Sequence, residues 1–440
     1  MTLPHVVAWN LTRRCNLACS HCYIAAGSWH AADTELPTDE CRRIADELLS
    51  VNPRPLVILS GGEPLLRDDL EDLALHLSER GATVVVGTNG TRLTARRIDS
   101  LKRAGVKGVA VSVDSLDPLY HDRFRHGDGA LEDTLAAVER LRAQRLDFIV
   151  QTTVTRGNRE EIPAIADWAA AKGAVAFNVY FLVQTGRAEG MRGLSPEENE
   201  ATLAELVTLE GRHRGRMMVR SKCMPQVMRH VHREAPDSPL MAYATRCPCG
   251  VQYCRITPEG RVTPCPYLPV EAGDLTRQTF AEVWADSPVF ARLRSGALGG
   301  KCGRCEYREV CGGCRARAFA DTGDLMAADR SCAYEPDGRL ELVRFAGVTY
   351  GSDDALKDAH TSAGGTVVSP RWSPAARERF DRVPSFVRAV VAARVERFAR
   401  ERGYDEITES VLAEVRHEMP VDFSRVRPFF LDRGGSESQS

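Results

Sequence analysis

The sequence predicts an α/β chain: a partial (βα)6 barrel, then a cysteine-rich domain, then a small C-terminal helical domain. Three observations carry this. From Val6 to about Val183, short β-branched runs alternate with amphipathic stretches. The 14 cysteines fall mostly into two clusters. A helical pattern returns near residue 371, after a stretch rich in Gly, Ser and Ala.

The strand candidates, in order, are "VVAWNL", "LVILS", "TVVVGTN", "GVAVSVD", "DFIVQTTV" and "AVAFNVYFLV". The segments between them are helix-like; in "GALEDTLAAVERLRAQ", Leu131, Leu135, Val138 and Leu141 fall on one face. Six βα units with crossover helices imply parallel strands, and near-continuous apolar runs fit strands covered on both sides. Chemistry is then expected at the carboxyl ends of the strands. The divisions read as 1–190 for the barrel, 191–245 for a mostly helical connector and 246–345 for the cysteine-rich domain. A linker (346–370), a helical unit (371–425) and a tail (426–440) follow. The cysteine-rich segment has too little apolar periodicity for a conventional core, and metal is expected to stabilise it.

Composition narrows the class without naming a partner. Apolar residues make up 43%, charged residues 27%, and the formal charge is −2. That balance gives no general attraction to nucleic acid or anionic membrane. No apolar run is long enough to span a bilayer, and "MTLPHVVAWN" lacks a signal-peptide pattern, so a cytoplasmic enzyme is expected. The cysteines are too dilute for a secreted disulfide scaffold, and their clustering suggests metal. Cys41 and Cys223 stand alone and read as small buried thiols.

"WNLTRRCNLACSHCYIAAG" places Cys15, Cys19 and Cys22 close behind the first strand. Thiolates hold iron–sulfur clusters, and a four-iron cluster devoted to electron transfer takes four of them. Three leave one iron open. Zinc is the competing reading, but this loop suits a tetrahedral site poorly, with no fourth cysteine nearby and His21 inside it. The second strand ends in "SGGEP", where Gly61 and Gly62 allow close backbone approach, Glu63 offers an acceptor and Pro64 follows. The third ends in "GTNG" and the fourth in "SVDS", followed by "HDRFR".

Together these segments resemble the radical S-adenosylmethionine (SAM) family. The resemblance covers the first 190 residues. It implies a four-iron cluster on Cys15, Cys19 and Cys22 that binds SAM through its open iron, and cleavage to methionine and a 5′-deoxyadenosyl radical. It further implies that Gly61, Gly62, Glu63 and Pro64 form the segment binding the methionine amino group. Ser112 and Arg125 would meet the SAM carboxylate or ribose, and His21 and Gly186 of "QTGRA" would lie near the adenine. Asn89 and Asp114 are weaker candidates, with caps or turns as the alternative.

The later cysteines read Cys247, Cys249, Cys254, Cys265, then Cys302, Cys305, Cys311, Cys314 and Cys332, with Gly260 five positions before Cys265. They resemble the SPASM extension of radical SAM enzymes, which houses auxiliary four-iron clusters. Here two residues rather than the usual three separate Cys311 from Cys314. Carried over by position, Cys302, Cys305, Cys311 and Cys332 would hold one cluster. Cys254, Cys265 and Cys314 would hold another, with Cys249 as the fourth ligand and Cys247 as its rival. A zinc ribbon, or a single auxiliary cluster, is the alternative.

The wording around these cysteines is similar to radical SAM enzymes of heme d1 and alternative heme biosynthesis. "VPSFVR", "ARERG" and "ITESVL" resemble the small C-terminal domain of protochlorophyllide reductase (PCP_red). Both point to a tetrapyrrole substrate and to loss of carbon dioxide, propionate or acetate from a side chain. A ferredoxin or flavodoxin would be the electron donor. The alternatives are a maturase acting on a peptide or protein side chain, and a noncatalytic iron–sulfur scaffold. Only five residues precede the first strand, which leaves no room there for a leader-peptide module. Residues 371–402 hold nine Arg against four Asp or Glu. That stretch is either a solvated helix face or a patch, including Arg388 and Arg394, for substrate carboxylates.

Overall fold

The computed structural model describes residues 2–236, 238, 240, 246–338, 340–344, 370–383 and 385–417. The expected linker and tail lie outside them. The six expected strands form as β1 Val6–Asn10, β2 Leu56–Ser60, β3 Thr83–Thr88, β4 Gly108–Ser112, β5 Phe148–Val154 and β6 Ala176–Phe181. All pair in parallel, in sequence order.

The sheet does not stop there. The connector, read as mostly helical, contributes β7, Met218–Lys222, which pairs in parallel with β6. The cysteine-rich segment adds β8, Tyr253–Ile256, in parallel against β1, and then β9, Arg261–Thr263, and β10, Gly273–Asp274. The complete order is β10-β9-β8-β1-β2-β3-β4-β5-β6-β7. "MVRSK" escapes a sequence reading because only two of its five residues are apolar.

Register sorts the side chains by face. Trp9, Leu59, Val86, Val109 and Phe148 stand opposite one another across five strands, and all five are buried in one core. This outward row meets the helices. Ile44 and Leu48 of helix Thr38–Val51, Leu73 and Leu77 of Leu70–Glu79, and Val138 and Leu141 of Ala130–Ala143 belong to the same core. Alternation then turns Asn10, Ser60, Ser112, Gln151, Tyr180 and Lys222 to the inner face.

The cysteine-rich segment does not rely on metal alone. Phe280, Val283, Trp284 and Phe290 join the barrel core, as do Ile256 and Val262. The C-terminal unit forms three helices, Pro374–Asp381, Ser385–Glu401 and Glu409–His417, around Val395, Ala399, Ile407, Val411 and Val415. Ser373 caps the first helix by accepting from the Ala376 N–H.

Ile256 is fully buried where the two domains share their core. Ile256→Ala should destabilise the chain by about 2–5 kcal/mol, read as a lower denaturation midpoint.

Candidate cofactor and cluster sites

The loop carrying Cys15, Cys19 and Cys22 has no regular structure of its own, so its backbone groups need partners from elsewhere. They come from three directions. Beyond β2, Gly62 N–H donates to Thr12 O (2.7 Å) and Glu63 N–H to Arg14 O (2.9 Å). At the end of helix Pro118–Arg125, Phe124 O accepts from Ser20 N–H (2.9 Å) and Arg125 O from Ala18 N–H (3.3 Å). After β6, Arg187 N–H donates to Cys22 O (3.0 Å), and its guanidinium donates to Cys19 O (2.8 Å) and Ala26 O (2.7 Å). Arg187 was not singled out from sequence, although it lies in the "QTGRA" segment.

Glycines make this stitching possible. A Cβ on Gly62 would lie 2.2 Å from Arg14 O, and one on Gly186 (φ +60°) would lie 2.5 Å from Cys22 O. The sulfurs accept backbone hydrogen bonds, Leu17 N–H to Cys15 Sγ (3.4 Å) and Ala26 N–H to Cys22 Sγ (3.3 Å). Burial pushes the Cys15 thiol up to about 12, so a positive centre is needed for it to ionise at neutral pH. Three convergent sulfurs with oriented N–H donors fit the cluster the sequence implies.

The other expected residues divide into fold and face. Glu63 is fully buried and accepts from Thr88 Oγ1, Asn89 N–H and Leu65 N–H, so it ties β2 to β3 rather than presenting an open acceptor. Pro64 is buried in the turn that Glu63 caps. Asn89 accepts from Thr91 N–H and donates to Asn16 Oδ1, a turn residue that also reaches Cys15 Sγ at 3.9 Å. Asp114 takes Arg125 Nε (2.9 Å) and Nη2 (2.7 Å) on one oxygen and Thr153 N–H on the other. Burial pushes the Asp114 carboxyl up, but Arg125, the neighbouring histidines and the Thr153 N–H together outweigh this and hold it below the usual carboxylate range. Arg125 is thus clamped, with Nη1 4.0 Å from Cys19 Sγ.

His21 stacks on Phe124 at 4.5 Å, and burial pulls its imidazole down to about 4, leaving it neutral. Its Nδ1 is buried without a partner among the described residues. Ser112 lies on the inner face opposite Gln151.

Beyond the barrel, Cys302, Cys305, Cys311 and Cys332 line one pocket with Gly312, Gly313 and Tyr334. A Cβ on Gly313 (φ +71°) would come within 3.2 Å of Cys302 Sγ, so this cradle accepts only glycine. A second group holds Cys249, Cys265 and Cys314, with Cys247 and Cys223 packed against them. Cys254, expected here, is not brought to it. It lies fully buried in the barrel core, because Arg255 faces inward to Asn10 and alternation turns Cys254 outward opposite Val7. Cys223, read as a lone thiol, joins instead. Among the described residues, no three His, Cys, Asp or Glu close around a single metal ion.

Between these thiol groups the inner face carries Tyr23, Tyr180 and Tyr267, with ring centroids 5.2 Å apart for Tyr23–Tyr267 and 6.4 Å for Tyr180–Tyr267. Arg255 lies over the Tyr23 ring. Arg220 and Lys222 share the inward face of β7, and neither has a carboxylate partner among the described residues. Burial and the nearby Arg220 pull Lys222 down to about 8, which leaves it charged at neutral pH.

Four of the nine C-terminal arginines are engaged within the helical unit. Arg388 donates to Asp381 O and Val383 O, and Arg377, Arg379 and Arg382 pair with Asp381, Glu409 and Glu378. Val383 packs against Val6, Leu56, Ile58 and Val85, on the inner side near the amino ends of β1 and β2.

Gly186→Ala should destabilise the chain by about 2–4 kcal/mol, since a Cβ collides with the cysteine loop at a left-handed φ. Arg187→Met should cost about 1–3 kcal/mol by leaving the Ala26 carbonyl unpaired and removing one of the two bonds to Cys19 O. Thermal unfolding of the reconstituted protein measures both.

Comparisons with known proteins agree with this geometry. Family models match the radical SAM superfamily over residues 9–169, an iron-sulfur cluster-binding SPASM domain over 247–315, and the proto-chlorophyllide reductase 57 kD subunit over 372–416. The chain is 40% identical to an AdoMet-dependent heme synthase of Methanosarcina barkeri, over 76% of this chain and 97% of that protein. It is 31% identical to a pre-heme d1 synthase of Dinoroseobacter shibae, over 74% of this chain and 85% of that protein. SuiB of Streptococcus suis, solved with S-adenosylmethionine, shares the fold at a TM-score of 0.61 and 15% identity, over 76% of this chain and 78% of SuiB. With its cysteine loop, auxiliary thiol groups and three-helix C-terminal unit, the chain belongs to the radical SAM/SPASM family of heme-synthase type, extended by a PCP_red domain.

Proposed function

We propose that this enzyme alters a carboxylate-bearing side chain of a tetrapyrrole, by oxidative decarboxylation or by loss of a propionate or acetate substituent. The observation that carries the reading is the inner face between the thiol groups. Flat aromatic rings (Tyr23, Tyr180, Tyr267) lie beside two cations, Arg220 and Lys222, that have no carboxylate partner among the described residues. A planar macrocycle with acidic side chains matches that surface in shape and sign. The likeness to heme-synthesis enzymes supports the same class.

In this reading Cys15, Cys19 and Cys22 hold the first cluster, and His21, Gly61, Gly62, Ser112, Arg125 and Gly186 surround SAM. The bound pair supplies a 5′-deoxyadenosyl radical that takes hydrogen from an unactivated carbon. The protein's own part is positioning. Asp114 fixes Arg125 beside the cluster, and neutral His21 offers a ring face and an unpaired Nδ1 without adding charge. In a decarboxylation the side chain gives up a hydrogen atom, one electron and carbon dioxide. Auxiliary clusters held by Cys302, Cys305, Cys311 and Cys332 and by the second thiol group would accept that electron, and a ferredoxin or flavodoxin would supply the one that starts each turnover.

Anaerobic incubation with dithionite, SAM and iron coproporphyrin should yield 5′-deoxyadenosine and a product lighter by carbon dioxide plus two hydrogens for each side chain decarboxylated, or by the lost substituent. No change in the tetrapyrrole, with modification of a peptide instead, would sink the reading. Cys15→Ala should abolish 5′-deoxyadenosine. The double variant Arg220→Met/Lys222→Met should raise KM for the tetrapyrrole at least about tenfold, as two charge-assisted contacts are lost. Its iron content should stay unchanged.

A further inference from the structure

Five thiols, Cys223, Cys247, Cys249, Cys265 and Cys314, gather where one four-iron cluster needs four, and the fold indicates which four. We infer that Cys223, rather than Cys254, completes the auxiliary site made by Cys265, Cys314 and one of Cys247 and Cys249. The inference rests on the reading that this group binds a cluster.

Three observations converge. Contacts link the group: Cys249, Cys265 and Cys314 share one buried cluster, and Cys223 and Cys247 pack against it. Cys247 Sγ and Cys249 Sγ are only 3.2 Å apart. Each iron of the cluster takes one thiolate. With one ligand drawn from the Cys247/Cys249 pair, Cys265 and Cys314 make three, and Cys223 makes the fourth.

The second observation is backbone strain. β7 ends at Lys222, and Cys223 follows at φ +60°, a left-handed conformation that costs a residue with a Cβ about 1–2 kcal/mol. The turn is held in place. Arg317 donates to Cys223 O (2.9 Å) and to Leu182 O, and pairs with Asp329, while Ser221 Oγ donates to Met224 O. Its result is a Cys223 thiol against Cys314, where a continued strand would have carried the side chain elsewhere.

The third is the position of Cys254. Its side chain shares the core with Ile256, Val262 and Trp284 and has no exposed surface. Bringing it to the other thiols requires β8 to slip by one residue, which would drive Arg255 into that core. Ligation by Cys223 forms an iron–sulfur bond and releases the thiol proton, with iron and sulfide supplied during assembly.

The test uses the full chain in a Cys15→Ala/Cys19→Ala/Cys22→Ala background, so that only auxiliary iron is counted. After anaerobic reconstitution with iron and sulfide, both are measured per chain, with electron paramagnetic resonance of the dithionite-reduced sample. Adding Cys223→Ala should remove one cluster's worth of iron and sulfide and one resonance. Cys223→Gly, which suits φ +60° and protects the fold, should do the same. Cys254→Val should keep both. Full iron in Cys223→Gly, or loss of a cluster in Cys254→Val, would overturn the assignment. No iron in the background itself would overturn the auxiliary-cluster reading, and this inference with it.

Discussion

The loop that offers three sulfurs to one metal centre is neither helix nor strand here, so its amide and carbonyl groups must find partners elsewhere. Here they find them on the residues after β2, the end of helix Pro118–Arg125 and the turn after β6. These segments are far apart in sequence and adjacent only once the parallel sheet has formed. The site therefore exists only in the folded barrel. It also explains why glycine stands at 62 and 186, where backbone meets backbone too closely for a Cβ.

Strand alternation does the second piece of work. It sends Trp9, Leu59, Val86, Val109 and Phe148 toward the helices and leaves the inner face for polar and aromatic groups. On β8 the same rule separates neighbours, with Cys254 in the apolar core and Arg255 facing Asn10. Addition of β7 and β8 to opposite edges makes the cysteine-rich segment part of the barrel rather than an appendage.

Buried charge is handled pairwise where the fold needs it. Arg125 with Asp114 and Arg317 with Asp329 are buried ion pairs backed by further hydrogen bonds, the condition under which such pairs persist. Arg220 and Lys222, on the same sheet, have no such partner among the described residues.

By itself the sequence determined the six parallel strands, the first thiol triplet, the motif glycines and the C-terminal helices, because these are local patterns of period, turn chemistry and spacing. That Glu63 and Asn89 also serve as turn and buttress residues was not legible in it, since hydrogen-bond partners are not local. Only the tertiary structure decided that "MVRSK" is a strand, that Arg187 holds the cysteine loop, and that Cys223 joins the auxiliary thiols while Cys254 leaves them. Those outcomes depend on which face of a strand a residue occupies and on contacts across more than a hundred residues. Neither is written in the spacing of cysteines along the chain.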